Sequence, residues 1–327
     1  MAATRPTDDL RHLPAAELPL ALAEVHRALV TGKRLELTMS ASLDGAPTCE
    51  EVRAAAPGHD LPDRPSTWWQ PEHLRTVVEA AGFEVDELEV VRIADGADHA
   101  QIHVVARSLR ALPDHVGAGM ALLCVGLNPS LHSADAGIGY VQGSNRYWKA
   151  MLAAGLATVD RDPVHLLRHH HIGMTDLVKR PTPRADEVSA AEFRQGIDRL
   201  EALCAWLRPS SLAIVGLSGW RAGRDRRARA GWQDDALAGV PVYVLPSTSG
   251  LNAGTSLADL VGHLAALGLG PVEDRHARPT LGQCLHGGAT EARCPAYHHG
   301  LLARNLHLAT FPYCGQNVTS RSAVTLR

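Results

Sequence analysis

The stretch ALLCVGLNPS at residues 121–130 decides the fold, because an apolar run passes directly into a turn. The run predicts a buried β-strand from Ala121 to Gly126. Gly126 permits a tight backbone, and Pro129 stiffens the turn so that Asn128 is held in one orientation. Taken alone, the stretch fits an ordinary β-turn better than a functional loop. Loops at the carboxyl ends of strands are, however, where α/β sheets place their ligand sites.

Helices and strands alternate on both sides of this strand. Apolar spacing predicts helices at 18–29, 71–81, 144–154, 190–207 and 256–267. Alternation and short apolar runs predict strands at 34–39, 83–93, 101–109, 121–126, 212–216 and 240–245. Ser144 is predicted to cap the third helix, and residues 40–66 are predicted to be loop. The pattern indicates an α/β protein with a mostly parallel central sheet flanked by helices, preceded by a smaller N-terminal α/β fragment.

The chain of 327 residues is long enough for two domains, or for one domain with large additions. Residues 112–119 separate the two alternating series and are predicted to contain the boundary. We therefore expect one domain at 1–112 and a second at 113–270. From Pro271 onward the periodicity is lost, so residues 271–327 are predicted to be a disordered tail.

Charge is distributed unevenly along the chain. Residues 1–112 hold 11 basic and 18 acidic side chains, residues 113–270 hold 15 and 14, and residues 271–327 hold 6 and 3. The middle segment is therefore not a module that grips nucleic acid by its overall charge. An enzyme acting on nucleic acid here must concentrate its positive charge locally.

Cysteine usage and hydropathy exclude several classes of protein. None of the six cysteines has C-x-x-C spacing, which argues against a zinc ribbon or a redox pair, and no metal site is expected. The N-terminus has no apolar signal core, and no apolar run approaches the ~18 residues of a membrane span. We expect a soluble protein of the reducing cytoplasm with free thiols.

Four further motifs follow the Asn-Pro loop, and they are GIGY (137–140), SNRYW (144–148), IGMTDLVKRPT (172–182) and LPSTSGLN (245–252). In order and spacing, the whole set resembles the mismatch-specific uracil/thymine-DNA glycosylase family over about residues 120–269. The family patterns are G-[IL]-N-P-[GS], N-R-[FY]-W, G-[IM]-T-x-L-V-x-R-[PT]-T and a late P-S-x-S-type loop. The resemblance implies a uracil-DNA glycosylase-like fold and the removal of a base from DNA.

The resemblance also implies that Asn128 is the catalytic side chain. Base removal needs the target nucleotide out of the stack and a water molecule brought to the sugar carbon. An amide is not a general base, so Asn128 would position that water. Beside Gly126, backbone N–H groups near Leu127 and Tyr140 would receive the base oxygens, in the manner of an oxyanion hole. Tyr140 would stack on the flipped base, with core packing as the alternative, and Asn145 completes the substrate-binding set.

The late loop aligns with the wedge that fills the hole left by a flipped base. Leu251 is a suitable apolar wedge, and its neighbours could reach the widowed guanine or the phosphates. The DNA-binding set implied in this way is Ser247, Ser249, Gly250, Leu251 and Asn252. The chain departs from the family pattern at Ala253, where many relatives have an arginine, so guanine clamping is not carried over. Without the resemblance, a plain Ser/Thr/Gly loop would be preferred.

Other charged residues keep two interpretations. The five arginines between 221 and 229 form either a solvated loop, which is slightly favoured, or a phosphate contact. Arg146, on the predicted helix, is equally open to a structural role, and Lys179 with Arg180 is ambiguous. Asp176 is interpreted as a capping or ion-pair residue with no catalytic role.

Residues 8–110 resemble the C-terminal half of a class I S-adenosylmethionine-dependent methyltransferase. The resemblance rests on AEVHRAL (23–29), Gly32 before the strand at 34–39, AAGF (80–83) and the strand at 102–107. The Gly-rich cofactor loop of that family and its following acidic residue should lie upstream, and they are absent. We therefore expect no methyl transfer.

Together these features predict an enzyme that hydrolyses the N-glycosidic bond of uracil, or of thymine or etheno-cytosine, mispaired with guanine. We expect no cofactor, double-stranded DNA as the partner, no membrane association and a monomer. Two alternatives remain: a methyltransferase fragment that needs a partner, and a module that binds damaged DNA with little turnover.

Overall fold

The computed structural model describes residues 9–42, 48–53, 64–92 and 100–269, so the tail predicted at 271–327 lies outside the described residues. The strands are β1 (Arg34–Ala41), β2 (Cys49–Arg53), β3 (Arg64–Trp69), β4 (Phe83–Arg92), β5 (Ala100–Ser108), β6 (Leu122–Gly126), β7 (Ile172–Asp176), β8 (Leu212–Val215), β9 (Gly231–Leu237) and β10 (Val240–Leu245). The α-helices are α1 (Leu18–Ala28), α2 (Pro71–Ala80), α3 (Leu131–Ala136), α4 (Tyr147–Ala153), α5 (Pro163–His170), α6 (Ala190–Leu207), α7 (Leu217–Gly223) and α8 (Leu257–Ala265). Within these ranges, no helix is both long and apolar enough to cross a membrane.

The first sheet is mixed, with the strand order β2-β3-β1-β5-β4. β1 is parallel to β3 and antiparallel to β5, and the two predicted strands β4 and β5 pair with each other as an antiparallel hairpin. Side chains along β1 alternate between the two faces, which buries Leu35, Leu37 and Met39 against α1 and α2. α2 begins at Pro71, whose fixed φ suits a first helical turn.

The second sheet has the order β7-β6-β8-β10-β9. Its first four strands are mutually parallel, and only β9 is antiparallel, paired with β10. Every residue of β6 and β7 is buried, as expected when helices cover both faces of a parallel sheet. The predicted mostly parallel sheet flanked by helices is therefore confirmed.

The long helix α6 illustrates how local sequence sets an element. Ser189 and Glu192 form a reciprocal capping box at its start, which satisfies backbone N–H groups that have no helical partner. The face predicted from its spacing is buried in the core, and it comprises Phe193, Ile197, Leu200, Cys204 and Leu207.

The parallel strands β6, β7, β8 and β10 all end at one side of the second sheet, which we call the carboxyl edge. The segments that follow β6, β7 and β10 are the Asn-Pro loop, residues 177–182 and the loop with the predicted wedge. Because parallel strands share a direction, these three segments emerge side by side. The fold thus brings separate motifs to one edge.

Two local predictions were wrong. Residues 40–66 are not all loop, because β2 and the first part of β3 lie there and pair with each other as a hairpin. Ser144 does not cap a helix, because α4 begins only at Tyr147. The side chain that bonds the free backbone N–H of Tyr147 is Asn145, one residue after Ser144.

Several elements are not predicted by the sequence pattern. β7 coincides with the start of the 172–182 motif and was not predicted as a strand. In β9, apolar and polar residues do not alternate regularly, and most side chains are exposed. The helices α3, α5 and α7 have six to eight residues each, too few for their apolar spacing to stand out.

Helices and connecting segments around the two sheets contact each other through both backbone and side chains. The backbone N–H of Asp114 donates to Ala80 O at 3.1 Å, and Lys179 Nζ donates to Leu112 O at 2.6 Å. Trp206 of α6 packs edge-on against His73, with the ring centres 4.5 Å apart. Trp206 therefore belongs to the apolar surroundings of both sheets.

Candidate active site

The Asn-Pro loop runs beside the segment that follows β7. Leu177 N donates to Gly126 O at 2.9 Å, Val178 N donates to Leu127 O at 3.0 Å, and Thr182 N donates to Pro129 O at 3.1 Å. These three bonds hold the loop in a single conformation on the carboxyl edge, and the loop ends where Ser130 caps α3 through Ser133 N.

The Asn128 side chain is fixed by its amide nitrogen. Nδ2 donates to Thr182 Oγ1 at 2.7 Å and lies 3.3 Å from Arg180 O and from Pro129 O. Thr182 is 2% exposed, and its own hydroxyl donates to Arg184 O at 2.6 Å. The amide hydrogens are thus used within the protein, and among the described residues no donor reaches Asn128 Oδ1. The oxygen is left as an acceptor for a hydrogen of water.

The two backbone N–H groups predicted to receive the base oxygens have no partner among the described residues. Neither the N–H of Leu127 nor that of Tyr140 donates to a described residue. The Leu127 side chain is directed away from them, against Gly216 and Gly219 of the β8–α7 segment. The predicted role of Leu127 therefore depends on its backbone and not on its side chain.

The Tyr140 ring is stacked on Tyr147, with the ring centres 4.1 Å apart and the planes 20° apart. One face of Tyr140 is therefore covered by protein, and only the other could meet a base. Its backbone has φ of 56°, in the left-handed region that a tyrosine seldom adopts. Stacking of Tyr140 on a flipped base stays a prediction.

Gly126 leaves room for two side chains that approach its backbone. A Cβ at this position would lie 2.1 Å from Asp176 Oδ1 and 2.9 Å from the Tyr140 hydroxyl oxygen. In the register of the sheet, Gly126 and Asp176 are direct neighbours at the ends of β6 and β7. Glycine is required here by this close approach, and Asp176 thereby lies next to the Asn-Pro loop.

Asp176 is a buried carboxyl, 7% exposed, with no hydrogen bond to its carboxylate oxygens from any described residue. Burial raises the pKa of Asp176 to about 6, while the charge of Lys179 opposes the shift. Burial of the Tyr140 hydroxyl, together with the charge of Asp176, raises the pKa of that hydroxyl well above its ordinary value. The site therefore holds a carboxyl that changes charge near neutral pH.

An ionic cluster of Asp114, Lys179 and Arg199 contacts the end of β7. Asp114 accepts hydrogen bonds from Thr175 Oγ1 and Lys179 Nζ, both at 2.6 Å, and from Arg199 Nη1 at 3.0 Å. Burial acts to raise the pKa of Asp114, but the charges of Lys179 and Arg199 outweigh it and hold that pKa below its usual range. Arg199 also donates to the backbone oxygen of Asp176, so the cluster anchors the end of β7.

The loop after β10, residues 246–255, is held by Arg146. This guanidinium donates to Ser249 O and Asn252 O, both at 2.8 Å, and to Thr255 O. The backbone N–H of Arg146 donates to Thr248 O at 2.9 Å. Arg146 thus has the structural role that the sequence left open.

The same loop presents Leu251 to solvent, and its side chain is 95% exposed. Gly250 packs so closely on Ser144 that a Cβ would lie 2.8 Å from Ser144 O. Asn252 Nδ2 donates to Ser247 O at 2.9 Å and to Thr255 Oγ1 at 3.1 Å, so its amide is used inside the loop. Hydrogen bonds from Arg146 and Asn252 thus hold the loop, which exposes one leucine.

The structure gathers the predicted residues into two groups on the carboxyl edge. Gly126, Leu127, Asn128 and Tyr140 lie together, whereas Ser247 to Asn252 form the neighbouring loop. Asn145 directly precedes Arg146, and its Oδ1 accepts from the backbone N–H of Tyr147 at 2.9 Å, at the start of α4. The hydroxyls of Ser247 and Ser249 accept backbone N–H groups within their own loop.

Two residues of this site, Thr182 and Asp176, were not predicted from the sequence. Thr182 was quoted within a motif without a role, although it holds the Asn128 amide. Asp176 was given no catalytic role, and its closeness to Gly126 depends on the pairing of β6 with β7. Among the described residues, no group of three His, Cys, Asp or Glu side chains could hold a metal ion.

A fixed asparagine and backbone donors without a described partner thus lie at the carboxyl edge of a parallel sheet, beside a protruding leucine. Residues 113–265 match the model of the Uracil DNA glycosylase superfamily, which covers slightly less than half of the chain. The second sheet and its helices have the fold of that superfamily.

One solved structure with a partial likeness is that of Burkholderia thailandensis 1,6-didemethyltoxoflavin-N1-methyltransferase with bound 1,6-didemethyltoxoflavin and S-adenosylhomocysteine. The likeness has 18% identity and a TM-score of 0.24, and covers 31% of this chain and 40% of that protein. The chain thus spans less than half of that methyltransferase, and at this TM-score the likeness carries no argument. The methyltransferase resemblance of residues 8–110 stays a prediction.

Proposed function

We propose that this protein is a DNA glycosylase that removes uracil mispaired with guanine from double-stranded DNA, and that thymine or etheno-cytosine opposite guanine is a related substrate. The observation that carries the proposal is the orientation of Asn128. Its amide nitrogen is bound by Thr182 and by backbone oxygens, which directs the amide oxygen to accept a hydrogen bond from water.

The proposed reaction is hydrolysis of the N-glycosidic bond. As that bond breaks, its electron pair stays with the pyrimidine and the sugar carbon becomes cationic. The water held by Asn128 then forms the new carbon–oxygen bond and releases its proton to solvent. The unpaired N–H groups of Leu127 and Tyr140 are suited to stabilise the charge that develops on the base oxygens.

The exposed leucine supports the duplex as substrate. A base can reach Asn128 only if its nucleotide leaves the helix, and the vacated space must be filled. Leu251 is 95% exposed on a loop that is braced by Arg146, so an apolar side chain is held outward without a partner among the described residues. Such a side chain suits insertion between bases.

The proposal is tested with labelled duplexes that carry a single G·U, G·T or A·U pair, beside an identical duplex with G·C. After incubation with the purified protein, abasic sites are cleaved with alkali. We expect strand breaks at the uracil opposite guanine and none in the G·C duplex. If no duplex yields a break even with the protein in excess over DNA, the glycosylase proposal is wrong. A module that binds damaged DNA would then be the better account.

A further inference from the structure

The segment between α7 and β9 lies at the carboxyl edge, although its sequence alone did not place it there. β9 is antiparallel to β10, and Gly231 at its start pairs with Val244, one residue before the end of β10. Residues 224–230 therefore emerge beside the loop that carries Leu251. Three strand spacings of ~4.8 Å separate β9 from β6, so this segment lies roughly 14 Å along the edge from the Asn-Pro loop.

The arginines of this segment differ from most others in residues 113–269. The arginines bonded to carboxylates or backbone oxygens are Arg146, Arg161, Arg168, Arg180, Arg184, Arg199, Arg221 and Arg224. By contrast, Arg226, Arg227 and Arg229 are exposed, and no described carboxylate pairs with them. Three uncommitted positive charges are thus grouped at the edge that carries the proposed active site.

The segment is also built to hold these side chains outward. The Arg221 guanidinium donates twice to Ala228 O, at 2.8 and 2.7 Å, and Ala228 is 3% exposed. Asp225 accepts from the backbone N–H of Arg227 at 2.8 Å. A loop braced at its centre and its start loses little conformational freedom when it meets a ligand.

Nearby acidic residues offset only part of this charge. Residues 221–235 contain five arginines and three aspartates. The Asp225 carboxylate is directed to a backbone N–H, and Asp235 lies 3.7 Å from Arg224. Arg227 and Arg229 border a cavity of about 430 Å³ that is also lined by Trp232 and by the three aspartates of this stretch, Asp225, Asp234 and Asp235. Arg226 is exposed outside this cavity.

We propose that Arg226, Arg227 and Arg229 form a phosphate-binding surface that contacts the DNA backbone about four base pairs from the flipped nucleotide, given the ~3.4 Å rise per base pair. This inference rests on the proposed function, because that function puts a duplex on the carboxyl edge. It also explains how a domain of nearly neutral charge binds a polyanion: the positive charge is local.

The test measures binding of an unmodified duplex, without uracil, by fluorescence anisotropy at several salt concentrations. The triple variant Arg226→Gln, Arg227→Gln, Arg229→Gln is compared with the wild type. Each lost phosphate contact lowers the slope of log affinity against log salt by ~1, so we expect the slope to fall by about 2 to 3. Because the three side chains are exposed, the thermal midpoint should not change.

Two matched variants complete the test. Lys33→Gln, Arg92→Gln, Arg208→Gln removes three charges away from the carboxyl edge of the second sheet, and it should keep the wild-type slope. The same three loop arginines changed to lysine should keep most of it, since lysine also binds phosphate.

Equal slopes for the glutamine variant and the wild type would overturn the inference, as would no binding of unmodified duplex by the wild type at low salt. A lowered slope in a protein that never excises uracil would leave this surface standing and refute only the proposed function.

Discussion

Thr182 fixes the orientation of the proposed catalytic amide at the scale of a single hydrogen bond. Changing Thr182 to valine keeps the shape but removes the acceptor of Asn128 Nδ2, so the amide can rotate. We expect uracil excision under single-turnover conditions to fall about 10-fold, in line with the loss of one buried hydrogen bond. Affinity for DNA should be unchanged, and Thr182→Ser should retain the rate. A valine variant as fast as the wild type would show that Thr182 does not position Asn128.

The raised pKa of the Asp176 carboxyl predicts how the free energy of unfolding depends on pH. Its folded pKa, about 6, is above the ordinary value of 3.8, so the folded state binds the proton more tightly than the unfolded state. The carboxyl therefore favours folding at low pH, and this contribution is lost as pH rises from about 4 to 6. The difference of about 2 pKa units corresponds to about 3 kcal/mol.

The variant Asp176→Asn tests whether the contribution of Asp176 to stability decreases as pH rises. The asparagine does not ionise, so the variant should gain stability over the wild type as pH rises from 4 to 6, and the gain should level off above pH 6. Urea unfolding of both proteins at several pH values measures the difference and cancels groups that they share. A gain that is constant with pH, or one that shrinks as pH rises, would contradict the raised pKa.

Arg146 holds the loop after β10, residues 246–255, which carries Leu251. Lysine at this position keeps the charge but has a single nitrogen in place of the planar guanidinium, whose Nη1 reaches Thr255 O and whose Nη2 reaches the other two carbonyls. One ammonium group does not span these positions, so the carbonyls of Ser249, Asn252 and Thr255 lose their common partner. We expect Arg146→Lys to lower excision from duplex DNA about 10-fold and to leave excision from single-stranded DNA nearly unchanged, because a single strand leaves no gap to fill.

Leu251→Ala is the matched variant for this element, since it removes the wedge and leaves its brace in place. Relative to the wild type, both variants should lose rate on duplex DNA and keep their rate on single-stranded DNA. Equal losses on both substrates in Arg146→Lys would indicate a general effect on folding, and would argue against control of the loop.

How far the elements follow from sequence depends on the range of the interactions that form them. The buried face of α6, the strand before Asn128 and the β4–β5 hairpin follow from local spacing, because each is defined by neighbours in sequence. The position of Asp176 beside Gly126 does not, since it depends on the register of two strands that are about 50 residues apart. The same holds for residues 224–230, whose place depends on β9 pairing antiparallel to β10.

The features of the site also divide into those set by residues close in sequence and those set by residues far apart. The motifs predict roles for Asn128 and Leu251 because each lies in a short contiguous segment. They did not reveal that the Asn145 and Asn252 amides are bonded within the protein, nor that Arg146 reaches a loop more than 100 residues away. Such bonds link residues distant in sequence, and neither composition nor periodicity records them.

At the scale of the whole molecule, the two sheets depend on each other through Trp206. Its ring contacts His73 and the apolar residues of both halves. We expect Trp206→Ala to lower the free energy of unfolding by about 2–3 kcal/mol, because a large side chain is removed from a packed contact. Trp232→Ala, in which the side chain removed is about half exposed, should cost less than about 1 kcal/mol. A loss for Trp206→Ala no larger than that for Trp232→Ala would show that this contact contributes little.

The measurement that tests the central claim most directly is the single-turnover rate of uracil excision from a G·U duplex by the wild type and by Asn128→Ala, with DNA affinity measured for both. If Asn128 positions the attacking water, the variant should lose about 100-fold or more in rate and bind the duplex as tightly as the wild type. An alanine variant that excises uracil at the wild-type rate would contradict the assignment of Asn128.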